Sequence, residues 1–249
     1  MHPETIYLIT GASRGLGRGF LDVLRQRPNT TVVAAVRNLE SSSSKEINLL
    51  STASGSKVIT VVIDSTVASS AQEAVKTLQS EHGITKLDVV IANAGIAKYY
   101  GLAEVTPIEE VREHFEVNTI GVLALFHATW PLLKLSSHPI FVGLTTSGAS
   151  ITNLGDIPMG ITSYGISKAA LNYLVRKIHF ENPSLIAFVI SPGWVQTEMG
   201  NYGASTLDMA SAPLTIEDSV HGMLAKIDNA TREETSGKFE SFDDAVLQW

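Results

Sequence analysis

Tyr164 and Lys168 are the two residues whose types and spacing are best suited to chemistry. They stand four positions apart at the start of a predicted helix, which places both side chains on one face. A free tyrosine has a pKa of about 10 and exchanges protons poorly at neutral pH. A lysine charge at about 4 Å favours the phenolate by up to ~4 kcal/mol at an effective dielectric constant of about 20, or roughly three pKa units. We therefore expect a pair that trades a proton with a substrate, although exposed Tyr/Lys pairs on helices show the same spacing.

A glycine-rich turn follows the first apolar strand and reads Thr-Gly-Ala-Ser-Arg-Gly-Leu-Gly over residues 10–17. Gly11 permits a tight turn, Gly15 lets the backbone approach a pyrophosphate, and Gly17 lets helix and strand pack closely. Phosphates bound here would face the unpaired N–H groups of a helix N-terminus. The alternative is an ordinary glycine turn. The residues of this segment predicted to bind a dinucleotide are Gly11, Ser13, Arg14, Gly15, Leu16 and Gly17.

The spacing Gly-x-x-x-Gly-x-Gly of this turn resembles that of the short-chain dehydrogenase/reductase family, and the resemblance extends over most of the chain. Three further segments match, each after the expected strand: Asp64, Asn93-Ala94-Gly95, and Pro192-Gly193 with Thr197 beyond. The resemblance implies that Asp64 contacts the adenine and that the last segment lies beside the nicotinamide. The cofactor-binding residues that it adds are Asp64, Asn93, Ala94, Gly95, Tyr164, Lys168, Pro192, Gly193, Val195 and Thr197.

Arg37, at the end of the second predicted strand, indicates which cofactor is bound. An NAD enzyme usually has Asp or Glu there to bind the ribose 2′-hydroxyl, whereas this chain reads Ala-Val-Arg-Asn over residues 35–38. An arginine can pair with a 2′-phosphate through two charge-assisted hydrogen bonds. Arg14 in the glycine turn could reach the same group, unless both arginines are merely solvated. The sequence therefore favours NADP(H).

Reduction of a carbonyl needs a second donor that holds the oxygen as charge develops. The family supplies it from a serine in a Ser-Ser-x-x-Gly pattern after the fifth strand, but this chain reads Thr-Thr-Ser-Gly-Ala-Ser over residues 145–150. Alignment by the strand end puts Thr146 in the place of that serine, and Ser147 would serve after a shift of one residue. Ser150 is closest to Tyr164 by the usual count, but the turn residues between them suggest a longer loop. Thr146 is favoured, with Ser147 second.

Asn118 completes the set of expected catalytic residues. It resembles the helix asparagine of the family, and the resemblance implies that it orders a water linking Lys168 to solvent. Asparagine is a mediocre helix former, so its place within a predicted helix needs a reason. A side chain satisfied by a helix carbonyl is the alternative. The expected catalytic residues are therefore Asn118, Thr146, Ser147, Tyr164 and Lys168.

The elements that must position these residues alternate between strand and helix. Nearly continuous apolar strands indicate a sheet covered on both faces, and βαβ alternation indicates a parallel, doubly wound sheet, the Rossmann fold, in one domain over residues 1–249. Residues 147–162 and 195–215 are rich in turns and follow strand ends, where such sheets bind ligands. The predicted strands are 6–10, 31–36, 58–63, 87–92, 140–145, 185–190 and 238–242, and the predicted helices are 15–26, 71–81, 107–135 and 163–179, with another entered near 41–44.

Composition excludes several classes of protein. Lys and Arg total 18 against 25 Asp and Glu, a net charge of −7, which argues against nucleic acid and anionic membranes as partners. The absence of cysteine excludes disulfides and thiolate metal sites, and no metal site is expected. The first five residues, Met-His-Pro-Glu-Thr, lack the pattern of a secretory signal, and no apolar run is long enough to span a membrane. A cytoplasmic location is expected.

An apolar set of side chains in the turn-rich segments predicts a wall for a sizeable carbonyl substrate. Two stretches, residues 164–179 and 191–200, resemble fungal ketoreductases of the norsolorinic-acid type, which would imply an aromatic polyketide ketone. Glycines and a proline in 195–215 suit a movable lid. The wall residues are Met159, Trp194, Met199, Tyr202, Leu207 and Met209, although each could simply pack or contact another subunit.

Two other functions compete with an NADPH-dependent reductase. One is a catalytically silent sensor that binds NADP(H), and the other is a structural subunit that pairs with an active partner. Retention of Tyr164, Lys168 and Asn118 argues against the sensor. The helices predicted over 107–135 and 163–179 are the faces on which the family dimerises, so the resemblance implies a homodimer or homotetramer. Neither the substrate nor the stereochemistry of the product follows from the sequence.

Overall fold

A parallel sheet of seven strands runs through the described part of the chain, residues 4–157 and 159–249 of a computed structural model. The strands are β1 (Thr5–Thr10), β2 (Thr30–Val36), β3 (Lys57–Val62), β4 (Val89–Ala92), β5 (Ile140–Leu144), β6 (Ile186–Ser191) and β7 (Phe239–Ser241). Their spatial order is β3-β2-β1-β4-β5-β6-β7, with every neighbouring pair parallel. The winding reverses between β1 and β4, so a cleft opens at the carboxyl ends of these two strands. The doubly wound fold expected from the sequence is confirmed.

Helices cover both faces of the sheet. Their bounds are α1 (Gly15–Leu24), α2 (Ser42–Ile47), α3 (Ser70–His82), α4 (Ile108–Phe115), α5 (Gly121–Leu133), α6 (Thr162–Glu181), α7 (Glu198–Ser205) and α8 (Ile216–Asp228). One hydrophobic core lies between the sheet and α3, α5 and α6. A second lies on the opposite face, under α1, α2 and α8. The central strands are therefore buried on both sides, which explains their continuous apolar runs.

The helix predicted over 107–135 is divided by a π-helical turn. The turn occupies Glu116–Ile120, between α4 and α5. The N–H of Gly121, the residue that follows it, donates to the carbonyl of Glu116, five residues back. A π turn adds one residue to a turn of the helix, and the prediction of one uninterrupted helix is wrong here. The insertion places Asn118 at the centre of the turn, a position at which π turns often mark functional sites.

The structure has two helices after β6 that the sequence did not predict. Residues 195–215, expected to be rich in turns, contain α7, and α8 follows in a segment for which no helix was predicted. Thr197 caps α7 by accepting from the Gly200 N–H, and Thr215 caps α8 by accepting from the Asp218 N–H. Both caps satisfy N–H groups that a helix start otherwise leaves unpaired. The segment after β6 is thus more ordered than its glycines suggest.

Within the described residues, no helix combines the length and the apolar character that crossing a bilayer requires. Residues 1–3, on which the expectation about a secretory signal partly depends, lie outside that part of the chain.

Candidate active site

The glycine turn packs tightly against the segment that follows β4. Gly11 has a φ of +68°, and a Cβ on Gly17 would lie 2.2 Å from the Gly11 carbonyl oxygen and 2.6 Å from Asn93 Nδ2. The Asn93 amide donates to the Thr10 carbonyl at 2.7 Å, and the Ala94 N–H donates to Thr10 Oγ1 at 3.0 Å. Two of the segments singled out in the sequence therefore meet at the cleft between β1 and β4, and Thr10, which the sequence did not indicate, joins them.

The start of α7 faces the same turn. Gly15 has a φ of +55°, and a Cβ placed on it would lie 3.4 Å from Thr197 Cγ2. The Arg14 guanidinium forms an ion pair with Glu198, and both side chains are largely exposed. Among the described residues, no side chain caps the N-terminus of α1. The helix N–H groups at Gly15 therefore face the cleft, with α7 on its other side.

Arg37 and Asp64 lie together at the ends of β2 and β3. Arg37 is exposed. The pKa of Asp64 is lowered, first by hydrogen bonds from the N–H and hydroxyl of Thr66 and also by the charge of Arg37. One cation and one carboxylate thus occupy the edge of the cleft beyond the glycine turn.

The segment after β6 is held by α8 and by a short bridge. The Pro192 carbonyl accepts from the Ser219 hydroxyl at 2.7 Å, and Gly193 has a φ of +76°. Val195 is buried and pairs with Leu214 in an isolated bridge. This segment therefore runs as a fixed path along the cleft before α7 begins.

Tyr164 and Lys168 lie on one face of α6, at the carboxyl end of the sheet. Lys168 Nζ lies 5.9 Å from the centroid of the Tyr164 ring. It donates a hydrogen bond of 2.8 Å to the carbonyl oxygen of Leu144, the last residue of β5. Lys168 has only 4% of its surface exposed, while Tyr164 is partly buried. The end of the strand therefore fixes a buried ammonium beside a phenol.

Burial acts against the lowering of the tyrosine pKa that the sequence suggested. It raises the pKa of Tyr164 above its ordinary value, and the Tyr100 phenol raises it further. Burial also lowers the pKa of Lys168 from 10.5 to about 8. The expected lowering is wrong for this structure, because burial penalises the charged phenolate. Tyr164 is consequently a neutral phenol at pH 7, which is the form that can donate a proton.

Asn118 reaches across from the π turn to the irregular segment that follows β4. Its Oδ1 accepts from the Ile96 N–H at 2.8 Å, and its Nδ2 donates to the Ile96 carbonyl and to Ser167 Oγ, both at 2.9 Å. A Cβ on Gly95 would lie 3.0 Å from Asn118 Oδ1 and 3.4 Å from Lys168 Nζ. The side chain therefore binds backbone from a different element rather than a carbonyl of its own helix, beside the Lys168 ammonium.

The hydroxyl groups after β5 differ in their surroundings. Thr146 is partly buried, and its Oγ1 accepts from the Gly148 N–H at 3.1 Å. Ser147 is exposed, and its N–H donates to Ser191 Oγ at 3.2 Å. Ser150 is buried, with its Oγ accepting from the Asn153 N–H at 3.1 Å. Of these three residues, only Thr146 combines partial burial with a hydroxyl that is oriented by a cap. Because its oxygen is the acceptor in that hydrogen bond, its hydrogen can still be donated.

The apolar side chains of α7 border the cleft, together with a tyrosine that the sequence did not indicate. Tyr202 presents its ring to Tyr100 in an edge-to-face contact, with 5.3 Å between the centroids. Trp194 donates its indole N–H to the Gly200 carbonyl at 2.9 Å and so braces the start of α7. Of the other expected wall residues, Leu207 and Met209 remain more than one-third exposed. An aromatic residue shortly after the Asn-Ala-Gly segment is the signal that could have identified Tyr100.

Comparison with known protein families gives a match over most of the chain. The family model described as short chain dehydrogenase matches residues 5–207. The chain is 46% identical over 249 residues to the norsolorinic acid ketoreductase of Aspergillus parasiticus, which covers 99% of this chain and 92% of that protein. It is 45% identical over 254 residues to norsolorinic acid ketoreductase nor1 of Dothistroma septosporum, covering 99% of this chain and 93% of the relative.

A solved structure shares the architecture. The NADPH-bound carbonyl reductase from chicken fatty liver superposes with a TM-score of 0.86 at 26% sequence identity, and the match covers 100% of both chains.

Proposed function

The chain belongs to the short-chain dehydrogenase family, and we propose that it reduces a ketone with NADPH, using Tyr164 as the proton donor. The observation that carries the proposal is the Lys168 ammonium, buried beside the Tyr164 phenol and bonded to the Leu144 carbonyl. The pair lies at the same edge of the sheet as the glycine turn, so one domain spanning residues 1–249 would bring cofactor and carbonyl together.

The cleft between β1 and β4 fits a dinucleotide. Glycines 11 and 17 let the turn close so tightly that a Cβ would clash, and the α1 N–H groups face the space where a pyrophosphate would lie. Arg37, exposed near Asp64, would pair with a 2′-phosphate and so favour NADP(H) over NAD(H). The residues that would hold the cofactor are Gly11, Ser13, Arg14, Gly15, Leu16, Gly17, Arg37, Asp64, Asn93, Ala94, Gly95, Tyr164, Lys168, Pro192, Gly193, Val195 and Thr197.

The reaction divides between a hydride and a proton. When bound, the nicotinamide supplies hydride to the carbonyl carbon. Tyr164 donates its phenolic proton to the carbonyl oxygen, which receives the electron pair of the former π bond, so that an alcohol forms. Lys168 stabilises the phenolate that remains. The high pKa of Tyr164 keeps the donor protonated until this step.

Thr146 is the second donor to the carbonyl oxygen. Its Oγ1 lone pair accepts from the Gly148 N–H, which orients the hydroxyl and leaves its hydrogen for the substrate oxygen. Such a fixed donor stabilises charge as it develops on the oxygen. Asn118, beside Lys168, orders the water through which the ammonium resupplies the proton to Tyr164. Ser147, which is exposed, is the alternative donor.

An aromatic polyketide-type ketone is the substrate class. Two relatives that are 45–46% identical are named norsolorinic acid ketoreductases. The rings of Tyr202 and Tyr100 lie beside the cleft, and aromatic walls bind flat aromatic ligands through stacked or edge-on contacts. The other proposed wall residues are Met159, Trp194, Met199, Leu207 and Met209.

The test is the rate of NADPH oxidation with a panel of aromatic ketones and aldehydes. Tyr164→Phe should lower turnover by roughly 10²- to 10⁴-fold, the usual contribution of a positioned acid, while NADPH binding persists. Tyr173→Phe, an exposed tyrosine on the same helix, serves as the matched control. Unchanged turnover in Tyr164→Phe contradicts the mechanism. NADPH binding with no turnover of any carbonyl favours a sensor or a structural subunit instead.

A homodimer or homotetramer would use the outer face formed by α4, the π turn, α5 and α6. Phe115, Ile120, Tyr173 and Phe180 expose apolar or aromatic surface there, next to Leu123 and Leu174. Contiguous apolar surface on a folded protein marks an interaction site more often than it remains in water. Self-association through this face would remove it from water.

A further inference from the structure

Tyr100 stands at the junction of three elements of the cleft. Its ring meets Tyr202 of α7 edge to face at 5.3 Å. A Cβ placed on Gly203 would lie 2.8 Å from the Tyr100 hydroxyl oxygen, so the phenol rests directly on α7 where that helix has no side chain. On the other side, the next residue, Gly101, pairs with Ile161 just before the helix that bears Tyr164. Tyr100 therefore lies between α7 and the start of α6.

The backbone on both sides of Tyr100 is held by hydrogen bonds to other parts of the chain. Asn118 binds both backbone groups of Ile96. The Lys98 N–H donates to Nε2 of the buried His114 at 3.0 Å. The Gly101 N–H donates to the Gly160 carbonyl at 2.6 Å. Three anchors within six residues place the phenol with the precision that specificity requires.

The Tyr100 hydroxyl is polar but is not used by the fold. Tyr99, its neighbour, donates its hydroxyl to the Val105 carbonyl at 3.0 Å, whereas the Tyr100 hydroxyl has no such partner among the described residues. Burial raises the pKa of Tyr100, so the group is a neutral donor at pH 7. A partly buried donor without a partner, facing a cleft, is suited to an oxygen of the ligand.

We propose that Tyr100 is a specificity-determining residue that selects hydroxylated aromatic ketones. Its hydroxyl binds a substrate oxygen other than the reacting carbonyl, and its ring, with that of Tyr202, lies against the aromatic system. The proposal rests on the proposed ketone reduction and deepens it, because the Tyr164 phenol engages one oxygen while the Tyr100 phenol engages a second. A site built to bond a hydroxyl discriminates strongly against analogues that lack it, since its polar group is then left unpaired.

The test compares acetophenone with its 2′-, 3′- and 4′-hydroxy isomers in the wild type and in Tyr100→Phe. Two quantities are measured: kcat/KM with NADPH, and the dissociation constant of each ketone from the complex with NADP⁺, in which no reduction occurs. Tyr100→Phe should weaken binding of at least one hydroxylated isomer roughly tenfold, the loss of one hydrogen bond. Binding of acetophenone should change less than about twofold. Tyr99→Phe is the matched control and should leave all four ketones unchanged.

A second variant probes the same contact from α7. Gly203→Ala adds a Cβ that must displace the Tyr100 hydroxyl, so it should reproduce the selective loss. Gly155→Ala adds a Cβ with no described atom within 4 Å and serves as its control. Equal losses for all four ketones in Tyr100→Phe, or no measurable binding of any of them to the wild type, would overturn the proposal.

The binding measurement separates this proposal from the proposed reduction. If ketones bind with the expected selectivity but are never reduced, Tyr100 has the proposed role and the reductase assignment fails. The opposite outcome is that the ketones are reduced, that Tyr164→Phe abolishes the reduction, and that Tyr100→Phe affects all four ketones alike. The reductase assignment then stands, and Tyr100 has no role in selection.

Discussion

At the residue scale, a buried lysine lies beside a partly buried tyrosine. Burial lowers the pKa of Lys168 to about 8 and raises that of Tyr164, so at pH 7 the lysine remains mostly protonated while the tyrosine is a neutral phenol. The Leu144 carbonyl accepts from the Lys168 ammonium and compensates part of the cost of its burial. A charged group kept at such a position reduces stability, as is expected of a residue retained for the proposed function.

Lys168→Met should therefore stabilise the fold while abolishing reduction. A pKa lowered from 10.5 to about 8 corresponds to about 3 kcal/mol of destabilisation at pH 7, and the lost hydrogen bond offsets about 1 kcal/mol of the gain. Urea unfolding at pH 7 should show a free energy of unfolding higher by about 2 kcal/mol. Lys177→Met, on the exposed side of the same helix, is the control.

The sign of the pH dependence provides a check on this prediction. The unfolded chain binds more protons than the folded one between pH 8 and 10.5, so the free energy of unfolding of the wild type rises across that window. Methionine does not titrate, so the difference in free energy of unfolding between Lys168→Met and the wild type should be smaller at pH 9.5 than at pH 7. An advantage that is equal at both pH values would mean that repacking, not charge burial, is responsible.

Arg37→Ala should change the choice of cofactor. Loss of a charge-assisted pair with the 2′-phosphate should raise the KM for NADPH by roughly 10- to 100-fold and leave that for NADH nearly unchanged. Arg14→Ala should have the smaller effect, because the Arg14 guanidinium already pairs with Glu198. Arg112→Ala, an exposed arginine paired with Glu109, controls for net charge. A parallel rise for both cofactors would show that Arg37 does not read the 2′-phosphate.

Thr146→Ala should lower kcat by roughly 10²- to 10³-fold, as removal of one fixed donor to a developing oxyanion does. Thr146→Ser retains the hydroxyl and should restore most of the rate. Ser147→Ala should change kcat by less than about threefold if its exposed side chain does not reach the substrate oxygen. Steady-state kinetics of the three variants decide between the two hydroxyls, and a larger loss in Ser147→Ala would reverse the assignment.

At the scale of elements, the π turn connects the helix layer to the cleft. The π turn at Glu116–Ile120 carries Asn118, which binds Ile96 in the irregular segment that follows β4. The same segment carries Tyr100 and reaches Gly101, which pairs with Ile161 in an isolated bridge just before α6. One local irregularity thus links α5, the segment after β4 and the helix that bears Tyr164.

Asn118→Leu, which keeps the size of the side chain, should lower both stability and kcat. It leaves the N–H and the carbonyl of the partly buried Ile96 unpaired, at a cost of about 2–4 kcal/mol in the free energy of unfolding. Asn229→Leu removes one hydrogen bond from an exposed asparagine and should cost far less. Urea unfolding and kcat are measured together. A stability loss with kcat unchanged would limit Asn118 to a structural role.

At the scale of the whole molecule, aromatic and apolar side chains of the outer helix layer form the proposed interface. Tyr173 and Phe180 of α6 are 73% and 66% exposed, and Phe115 and Ile120 lie on the adjoining helix layer. This apolar face, formed by α4, the π turn, α5 and α6, is the proposed meeting place of two copies.

The double substitution Ile120→Glu and Tyr173→Glu should abolish self-association, because like charges would be buried at the interface. Leu49→Glu introduces a charge at a leucine that is 84% exposed elsewhere on the surface and should not alter the assembly. Sedimentation of the wild type and both variants at two concentrations gives the masses. An unchanged mass in the double variant would place the interface on another face.

The sequence by itself determined the layout of this protein. Apolar runs, glycine spacing and the pair at Tyr164 and Lys168 are local patterns, and local patterns predict strands, turns and a helix face directly. The doubly wound sheet, the meeting of the glycine turn with Asn93 and the presence of Lys168 beside Tyr164 all follow from them. The parallel sheet brings its strand ends to one edge, whatever the details of packing.

Only the tertiary structure decided what depends on distant neighbours. The direction of the Tyr164 pKa shift reflects burial by other elements, which no spacing along the chain encodes. The π turn at Asn118 and the place of Tyr100 against Gly203 depend on contacts between segments far apart in sequence. Desolvation and packing are properties of the assembled fold, because they arise where elements meet and not within any one of them.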